Sequence, residues 1–492
     1  VARVTLALMA FLAAVSSVRA ADKDLLDVLF ANGAITREQY ETLLEVETLT
    51  SDDILPDESR AGSGDVESVD GASATSEVDQ QVSDAVADAA SAMDRRFTAE
   101  YVDDLTLDGS YESSGFRLQS RDGNWRHEIQ WRTQLRASTP FDSEPRQLSA
   151  FAADDRTNFE GRRLRLKVGG HGYQPWLRYY MEIDFQPARD VDDGSASASA
   201  RVIDWRIDVA KWDWGGIRVG QWKIDLNRER VDSSGRQQFV ERSISNRVFT
   251  IDRQVGIQLR GRAFRETRGD FSWWAGVMNG DGRGVRNNSD GLMYMGRMQW
   301  NFLGRDLAFR QTDVEFTELP SGTLALGAFT NTGNCTRWSS SGCGNLDGFE
   351  SPATAAVDQF KTDQWVQEFA FKYRGLSIQQ EYHEKTIRDR ADGSKHELTG
   401  GYVQAGYFFH HLVPSIPEPL EFAVRYAAVD EPNAVNRTFE NQRREFTVGA
   451  NWFFNGHNNK LTVDLSRLSL DDSLVGLDDS ENRLRFQWDV SF

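Results

Sequence analysis

Residues 482–492 alternate without a break. Leu484, Phe486, Trp488, Val490 and Phe492 are apolar or aromatic, and Arg483, Arg485, Gln487, Asp489 and Ser491 between them are polar. Successive side chains of a strand point to opposite faces, so this pattern describes one face in an apolar medium and the other in water. An aromatic residue closing such a strand is the usual end of a bacterial outer-membrane barrel with a wet interior. That expectation constrains the rest of the chain, because a sheet in lipid must pair every backbone group and leave no open edge.

The beginning of the sequence agrees. Arg3 precedes an apolar run from Val4 to Val15, and small residues follow up to Val18-Arg19-Ala20, so residues 1–20 read as a secretory signal cleaved after Ala20. No later segment reaches the roughly 18 consecutive apolar residues of a membrane helix. The mean hydropathy of -0.54 suits a barrel, in which only half of each strand meets lipid. The formal charge of -19 is concentrated near the start. Residues 21–94 hold nineteen acidic and three basic residues and the signal holds two basic ones, which leaves 95–492 near -5.

After the signal, residues 21–49 read as a short amphipathic helical segment, with Thr36 as an N-cap for its second half. Residues 50–94 form an acidic linker, disordered by composition, in which 78–93 carries a weak coiled-coil pattern. The remainder, 95–492, is expected to be an all-β, sixteen-stranded antiparallel transmembrane β-barrel. Period-two segments begin near Trp125. They are 127–137, 159–169, 176–186, 202–210, 217–223, 254–261, 271–278, 292–302, 322–330, 364–374, 376–387, 398–409, 420–429, 444–454, 460–468 and 483–492. About sixteen strands enclose an aqueous lumen.

Alternation also assigns faces. Ile129, Trp131 and Leu135 point to lipid, which turns Arg132 and Arg136 inward with Glu128, Gln130 and Gln134. Leu164, Leu166 and Val168 outside place Arg163, Arg165 and Lys167 inside. Met181 and Ile183 outside leave Glu182 and Asp184 inside. Ile203, Trp205 and Ile207 outside leave Asp204, Arg206 and Asp208 inside. Arg260, Arg297, Glu368, Arg425, Arg483 and Arg485 join the inner set. Arg467 breaks the pattern and calls for a bulge or a snorkelling side chain. Trp176, Trp212, Trp300 and Trp452 fit interfacial girdles.

Guanidinium groups lining a narrow channel replace part of an anion's hydration, and their planar fork suits phosphate. Inner carboxylates would offset them by forming neutral ladders. The stretch from Lys223 to Arg253 lacks alternation and is too long for a turn, and long structureless segments are usually functional. Folded into the lumen, it would set the narrowest point and bring Lys223, Arg228, Arg230 and Arg242 to it. Cys335 and Cys343, in one Gly/Ser-rich stretch, suit a loop disulfide in an oxidising compartment, with a thiolate metal site as the alternative reading.

Several segments together resemble the phosphate-selective porin O and P family. They include Gly161-Arg162-Arg163, Glu182-Ile183-Asp184-Phe185, Val219-Gly220-Gln221-Trp222-Lys223, Phe239-Val240-Glu241-Arg242-Ser243 and Arg253-Gln254-Val255-Gly256. Gly276-Val277-Met278-Asn279-Gly280-Asp281-Gly282, Gly401-Tyr402-Val403-Gln404-Ala405-Gly406-Tyr407 and Gly449-Ala450-Asn451-Trp452 continue the series. The resemblance implies a homotrimer of sixteen-stranded barrels, a loop folded into each pore, and an arginine-lined path for phosphate or related anions. It carries over Arg163, Lys223 and Arg242 as pore or loop-base residues.

The expected function is an outer-membrane porin for passive diffusion of small anions, with a weakly selective general porin as the alternative. The expected partners are small anions such as phosphate, and outer-membrane lipid and lipopolysaccharide, with no nucleic acid. No cofactor and no metal site is expected. A barrel enzyme would need a nucleophile and base held together, and none of the seven histidines has such a context. His410-His411 reads as interfacial.

Overall fold

The computed structural model describes Arg37 and residues 107–112, 115–140, 157–185, 200–287, 289–339, 342–346, 348–433, 439–472 and 477–492. The expected signal, helical segment (Arg37 apart) and acidic linker lie outside the described residues. In chain order the strands are β1 (Leu107–Glu112), β2 (Gly115–Ser120), β3 (Arg126–Thr139), β4 (Asn158–His171), β5 (Leu177–Asp184), β6 (Arg201–Trp212) and β7 (Gly215–Lys223). Then come β8 (Arg253–Ala263), β9 (Phe271–Met278), β10 (Met293–Trp300), β11 (Ser321–Gly333), β12 (Arg337–Ser339), β13 (Gly342–Gly344) and β14 (Phe360–Tyr373). The last six are β15 (Leu376–Asp389), β16 (Lys395–Tyr407), β17 (Leu420–Asn433), β18 (Phe439–Asn455), β19 (Asn459–Asp472) and β20 (Leu477–Ser491). Two short helices, α1 (Arg228–Val231) and α2 (Ser245–Phe249), lie between β7 and β8.

Sixteen strands, β3–β11 and β14–β20, pair antiparallel in sequence order, and β20 closes on β3 from Leu484↔Thr139 to Ser491↔Arg132. The aromatic end residue completes the seam: Phe492 exchanges backbone hydrogen bonds with Trp131 at 2.7 and 2.9 Å. All sixteen segments read from alternation are strands. The sequence reading missed the β1–β2 hairpin, whose short, Gly-interrupted alternation carries little signal. It pairs with the part of β3 that β20 does not reach, Phe116↔Ile129 to Gln119↔Arg126. The end of the barrel bearing Arg126 and Phe492 has the tight turns 213–214, 374–375 and 456–458, and the opposite end bears 224–252 and 334–359. By the rule that periplasmic turns are short and external loops long, the first end is periplasmic.

The outward face is apolar. Ile207, Ile257, Met298, Leu326, Phe446 and Leu465 are exposed, as a lipid-facing band requires. Tryptophans collect at its periplasmic edge, where Trp214 stacks between Trp212 and Trp273 at 6.0 and 6.4 Å. Arg467 needs no bulge. It stays in register between Phe446 and Asn482 and donates to Asn482 Oδ1 at 3.5 Å and Ser480 Oγ at 3.2 Å. The next outward row, Arg444, Ser469 and Ser480, is polar, and Arg444 pairs with Asp430 at 2.8 Å. The apolar band therefore ends at Leu465, and Arg467 sits at its external rim.

Two bulges override simple alternation. Between the pairs Gln134↔Arg163 and Leu135↔Gly161, Arg162 has no opposite residue. Between Glu182↔Asp204 and Ile183↔Val202, Ile203 has none. A bulge turns two successive side chains towards one face. Ile203, expected on the lipid side, is accordingly 2% exposed next to inward Asp204, and Arg162 joins Arg163 inside.

The assignment of the band yields a paired test. Val463 lies at its centre between Leu461 and Leu465. Val463→Arg should destabilise the barrel by about 2–4 kcal/mol, and Arg467→Leu at the rim should change stability by less than about 1 kcal/mol. Urea titration of folding into lipid vesicles measures both.

Candidate functional site

The lumen is not empty, because residues 224–252 leave the external end of β7 and fold into it. A backbone taken out of bulk water must find partners for its N–H and C=O groups. The wall of β14–β19 supplies them. Glu368 accepts from the Arg228 N–H at 3.1 Å, Glu381 from the Glu229 N–H at 2.6 Å, Asp464 from the Val240 N–H at 2.8 Å, and Glu445 from the Ile244 N–H at 2.9 Å. Glu421 accepts from the Gln238 side chain at 2.7 Å. Cations serve the carbonyls: Lys385 donates to Val248 O, Lys460 to Gln237 O, and Arg425 to Glu241 O at 3.0 Å.

Apolar side chains of the loop fill the remaining space on that side. Val248 and Phe249 pack with Phe360, Ile387, Leu398, Val429 and Leu470. Ile224, Leu226 and Ile251 pack with Trp222, Trp274, Met295 and Trp338. Small residues make the approach possible. A Cβ at Gly400 would meet the Phe249 ring at 2.5 Å, and one at Gly235, on the loop tip, would meet the Arg132 guanidinium at 2.5 Å. The hairpin β12–β13 is closed by a disulfide between Cys335 and Cys343. It packs on the loop at α2 and buries Trp338 with Ile224, Leu226 and Ile251, while the Trp338 indole N–H donates to Gly280 O in the β9–β10 connection at 2.6 Å.

What stays open lies along β19, β20 and β3–β6. On the external side of the loop is a chamber of about 70 Å³ bordered by eight arginines, Arg162, Arg163, Arg230, Arg242, Arg247, Arg425, Arg483 and Arg485, against two carboxylates, Glu241 and Glu445. Glu241 is shared: Arg136 reaches it at 2.8 Å, Arg162 at 2.7 Å and Arg163 at 3.9 Å. Glu160 offers weaker help, at 3.6 Å from Arg136 and 3.9 Å from Arg162. On the periplasmic side a second cavity, of about 230 Å³, is bordered by Arg117, Glu128, Gln130, Lys167, Tyr180 and Arg236.

The residues singled out from sequence divide into three groups. Arg163, Arg230 and Arg242 border the external chamber, Lys167 borders the periplasmic cavity, and Lys223 lies between, among Arg242, Arg253 and Arg230. Arg132, Arg136, Arg165 and Arg206 point inward but are engaged. Arg132 holds Asp489 at 3.0 Å and Ser234 Oγ at 3.1 Å, and Arg165 holds Glu182 and Asp184 at 2.9 and 3.1 Å. Arg136 donates to Gln487 at 2.8 Å, and Arg206 pairs with Asp208 at 3.2 Å over the Tyr180 ring. Arg228 is not on the open side. It donates to the carbonyls of Leu307 and Ala308 at 3.0 and 2.7 Å.

Arg162 and Arg247 were missed. Arg162 depends on a bulge that alternation cannot show, and Arg247 lies on α2 of a loop without period-two pattern. The inner acids that argued against anion preference are each bound to a cation. Glu182 and Asp184 hold Arg165, Asp204 holds Arg253 at 2.8 Å, Asp208 holds Arg218 at 2.6 Å, Glu368 holds Arg297 at 2.6 Å, and Glu128 holds Arg117 at 3.0 Å. Within the loop, burial pushes the Asp232 carboxyl up to about 6, against the pull of Arg236, Arg242, Lys223 and Lys372. Among the described residues no His/Cys/Asp/Glu cluster could hold a metal ion.

The family model for phosphate-selective porin O and P matches residues 146–492. No curated protein is significantly similar in sequence. Among solved structures, the chain is similar to the outer membrane channel DcaP of Acinetobacter baumannii, at 12% identity and TM-score 0.48, covering 77% of this chain and 100% of that one. It is also similar to an anion-selective porin from Comamonas acidovorans, at 11% identity and TM-score 0.46, covering 74% and 99%. A loop L8 deletion mutant of OmpT from Vibrio cholerae aligns at 9% identity and TM-score 0.49, covering 75% and 100%. With more than half of its length matched by the family model, this chain, a channel of the bacterial outer membrane, belongs to the phosphate-selective porin O and P family.

Proposed function

We propose that the channel passes small anions, with phosphate favoured, through the open side of the lumen. The observation that carries this reading is the external chamber, where Glu241 is shared by three guanidinium groups and Arg242 donates to two loop carbonyls, while Arg230, Arg425, Arg483 and Arg485 on the same border are matched by Asp252, Glu445, Glu481 and Asp464. A water-filled recess with that surplus raises the local concentration of anions. Arginine keeps its charge at any physiological pH and offers paired N–H donors to an oxyanion.

From the chamber, an anion moves past Arg163 and Lys223 to the cavity beside Lys167 and Arg236. Lys223 donates to a carbonyl, Asp232 O at 3.2 Å, and Lys167 to an amide oxygen, Gln130 Oε1 at 2.8 Å. Neither has a carboxylate within ion-pair distance among the described residues. Successive sites of this kind let an ion be held at each without being trapped. The family resemblance supports a homotrimer as the working assembly, and the position of Arg467 at the external rim is consistent with contact to lipopolysaccharide phosphates.

In planar bilayers under a potassium chloride gradient, the reversal potential should show anion selectivity, and added phosphate should reduce the chloride current. Cation selectivity, or current indifferent to phosphate, would leave the general-porin reading instead. Arg163→Gln should raise the half-blocking phosphate concentration several-fold, since it removes chamber charge while Arg136 and Arg162 still hold Glu241.

Acidification supplies a second test. As pH falls from 7.5 to 5, Asp232 passes through its raised value of about 6 and loses its negative charge beside Lys223 and Arg242. Anion selectivity should therefore rise on acidification, and Asp232→Asn should be more selective than the parent at pH 7.5 and rise less over this range, the remaining change following Glu229, whose carboxyl burial pushes up to about 7.

A further inference from the structure

The connection between β10 and β11, residues 301–320, lies at the periplasmic end, where turns are ordinarily short. It is long, and it does not project from the barrel. Leu307, Gln311, Thr312 and Asp313 are all buried. Phe309 lies beside Trp274, with ring centroids 5.9 Å apart, and under the guanidinium groups of Arg297 and Arg228 at 4.7 and 4.9 Å.

The segment runs across the mouth. It starts at β10, receives the Arg374 N–H on Thr317 O at 2.8 Å and the Gly375 N–H on Asp313 at 2.8 Å, and takes the Lys372 ammonium on Thr312 O. It ends its reach at the turn between β18 and β19, where Thr312 Oγ1 meets His457 Nε2 at 3.3 Å. One residue ties it to the tip of the constricting loop. The Gln311 N–H donates to Asp232 Oδ2 at 3.2 Å, its side-chain amide donates to Gln237 Oε1 at 2.9 Å, and its side-chain oxygen accepts from the Gln238 N–H at 2.7 Å.

We propose that residues 301–320 act as a floor that holds the loop tip through Gln311 and shuts the β9–β18 side of the lumen. Solutes then leave only along β19, β20 and β3–β6, past Arg236. Gln311 is thus a positioning residue for selectivity, although it touches neither chamber. The apolar packing above the floor and the cavity beside Arg236 on the other side fit this division. The selectivity half of the proposal rests on the anion-channel reading, whereas the conductance half does not.

Trp300 pairs with Leu324, so an Asn-Gly turn in place of residues 303–321 can join β10 to β11 directly. In bilayers, this short-turn variant should conduct several-fold more than the parent, and its reversal potential should move towards zero. Gln311→Ala should keep the barrel, shown by unchanged heat-modifiable mobility on electrophoresis, while its open-channel noise rises and its selectivity falls part of the way. Parental conductance, noise and reversal potential in folded Gln311→Ala would overturn the proposal, whether or not the short-turn variant folds. A parent that proves non-selective, with conductance still rising in the short-turn variant, would overturn the anion reading and leave the floor standing.

Discussion

The structure depends on how the wall of β14–β19 satisfies the backbone of residues 224–252. An irregular segment inside a barrel has lost most of its water, and each N–H or C=O left unmatched costs roughly 1–3 kcal/mol. Regular secondary structure satisfies little of it, since α1 and α2 are one turn each. The wall therefore projects carboxylates at loop N–H groups and ammonium or guanidinium groups at loop carbonyls. Glu368, Glu381, Glu445 and Asp464 do the first, and Lys385, Lys460 and Arg425 the second. The charges on this half of the barrel hold the loop, and they are not free to select ions.

That division resolves the ambiguity in a lumen of mixed charge. Many inner arginines are neutralised where they stand: Arg165, Arg253, Arg297 and Arg425 are each matched by a carboxylate. The surplus is local. It arises where Arg162 and Arg163 enter together beside Arg136 and share Glu241 and Glu160, and where Lys223 and Lys167 bond only to neutral oxygens among the described residues. Electrostatic character is set by which charges are left over at the open side, and a total over the wall averages that away.

Much of the fold could be read from the sequence because lipid enforces period two. A charged residue facing the bilayer centre is costly, so each of the sixteen strands shows its faces, and even Phe492 finds its place in the seam. The information fails where one extra residue enters. Nothing in Gly161-Arg162-Arg163 or Val202-Ile203-Asp204 tells which residue is unopposed, since that depends on the facing strand. The site was legible in kind but not in membership. Arg163, Arg230 and Arg242 border the chamber, but Arg228, equally basic and two positions from Arg230, turns to the carbonyls of Leu307 and Ala308. Partners distant in sequence decide such cases, and Gln311, with no charge and no motif, carries no signal at all.

The loop is held from three directions by different chemistry, and this bears on how finely a passive channel discriminates. The wall grips it through ions, the disulfide-closed hairpin β12–β13 covers it with Trp338, and the periplasmic floor meets its tip through Gln311. A guanidinium selects among anions only while its position is fixed, because a side chain on a moving loop follows the ion and loses geometric preference. Arg242 shows the coupling. Its own bonds run to Glu229 O at 2.9 Å and Asp232 O at 2.6 Å, inside the loop, so its position in the chamber is that of the loop backbone. That stretch is fixed in turn by Glu381, which accepts the Glu229 N–H, and by Gln311, whose N–H donates to the Asp232 carboxylate. The charge that meets the ion is thus placed by neutral and acidic groups that never do.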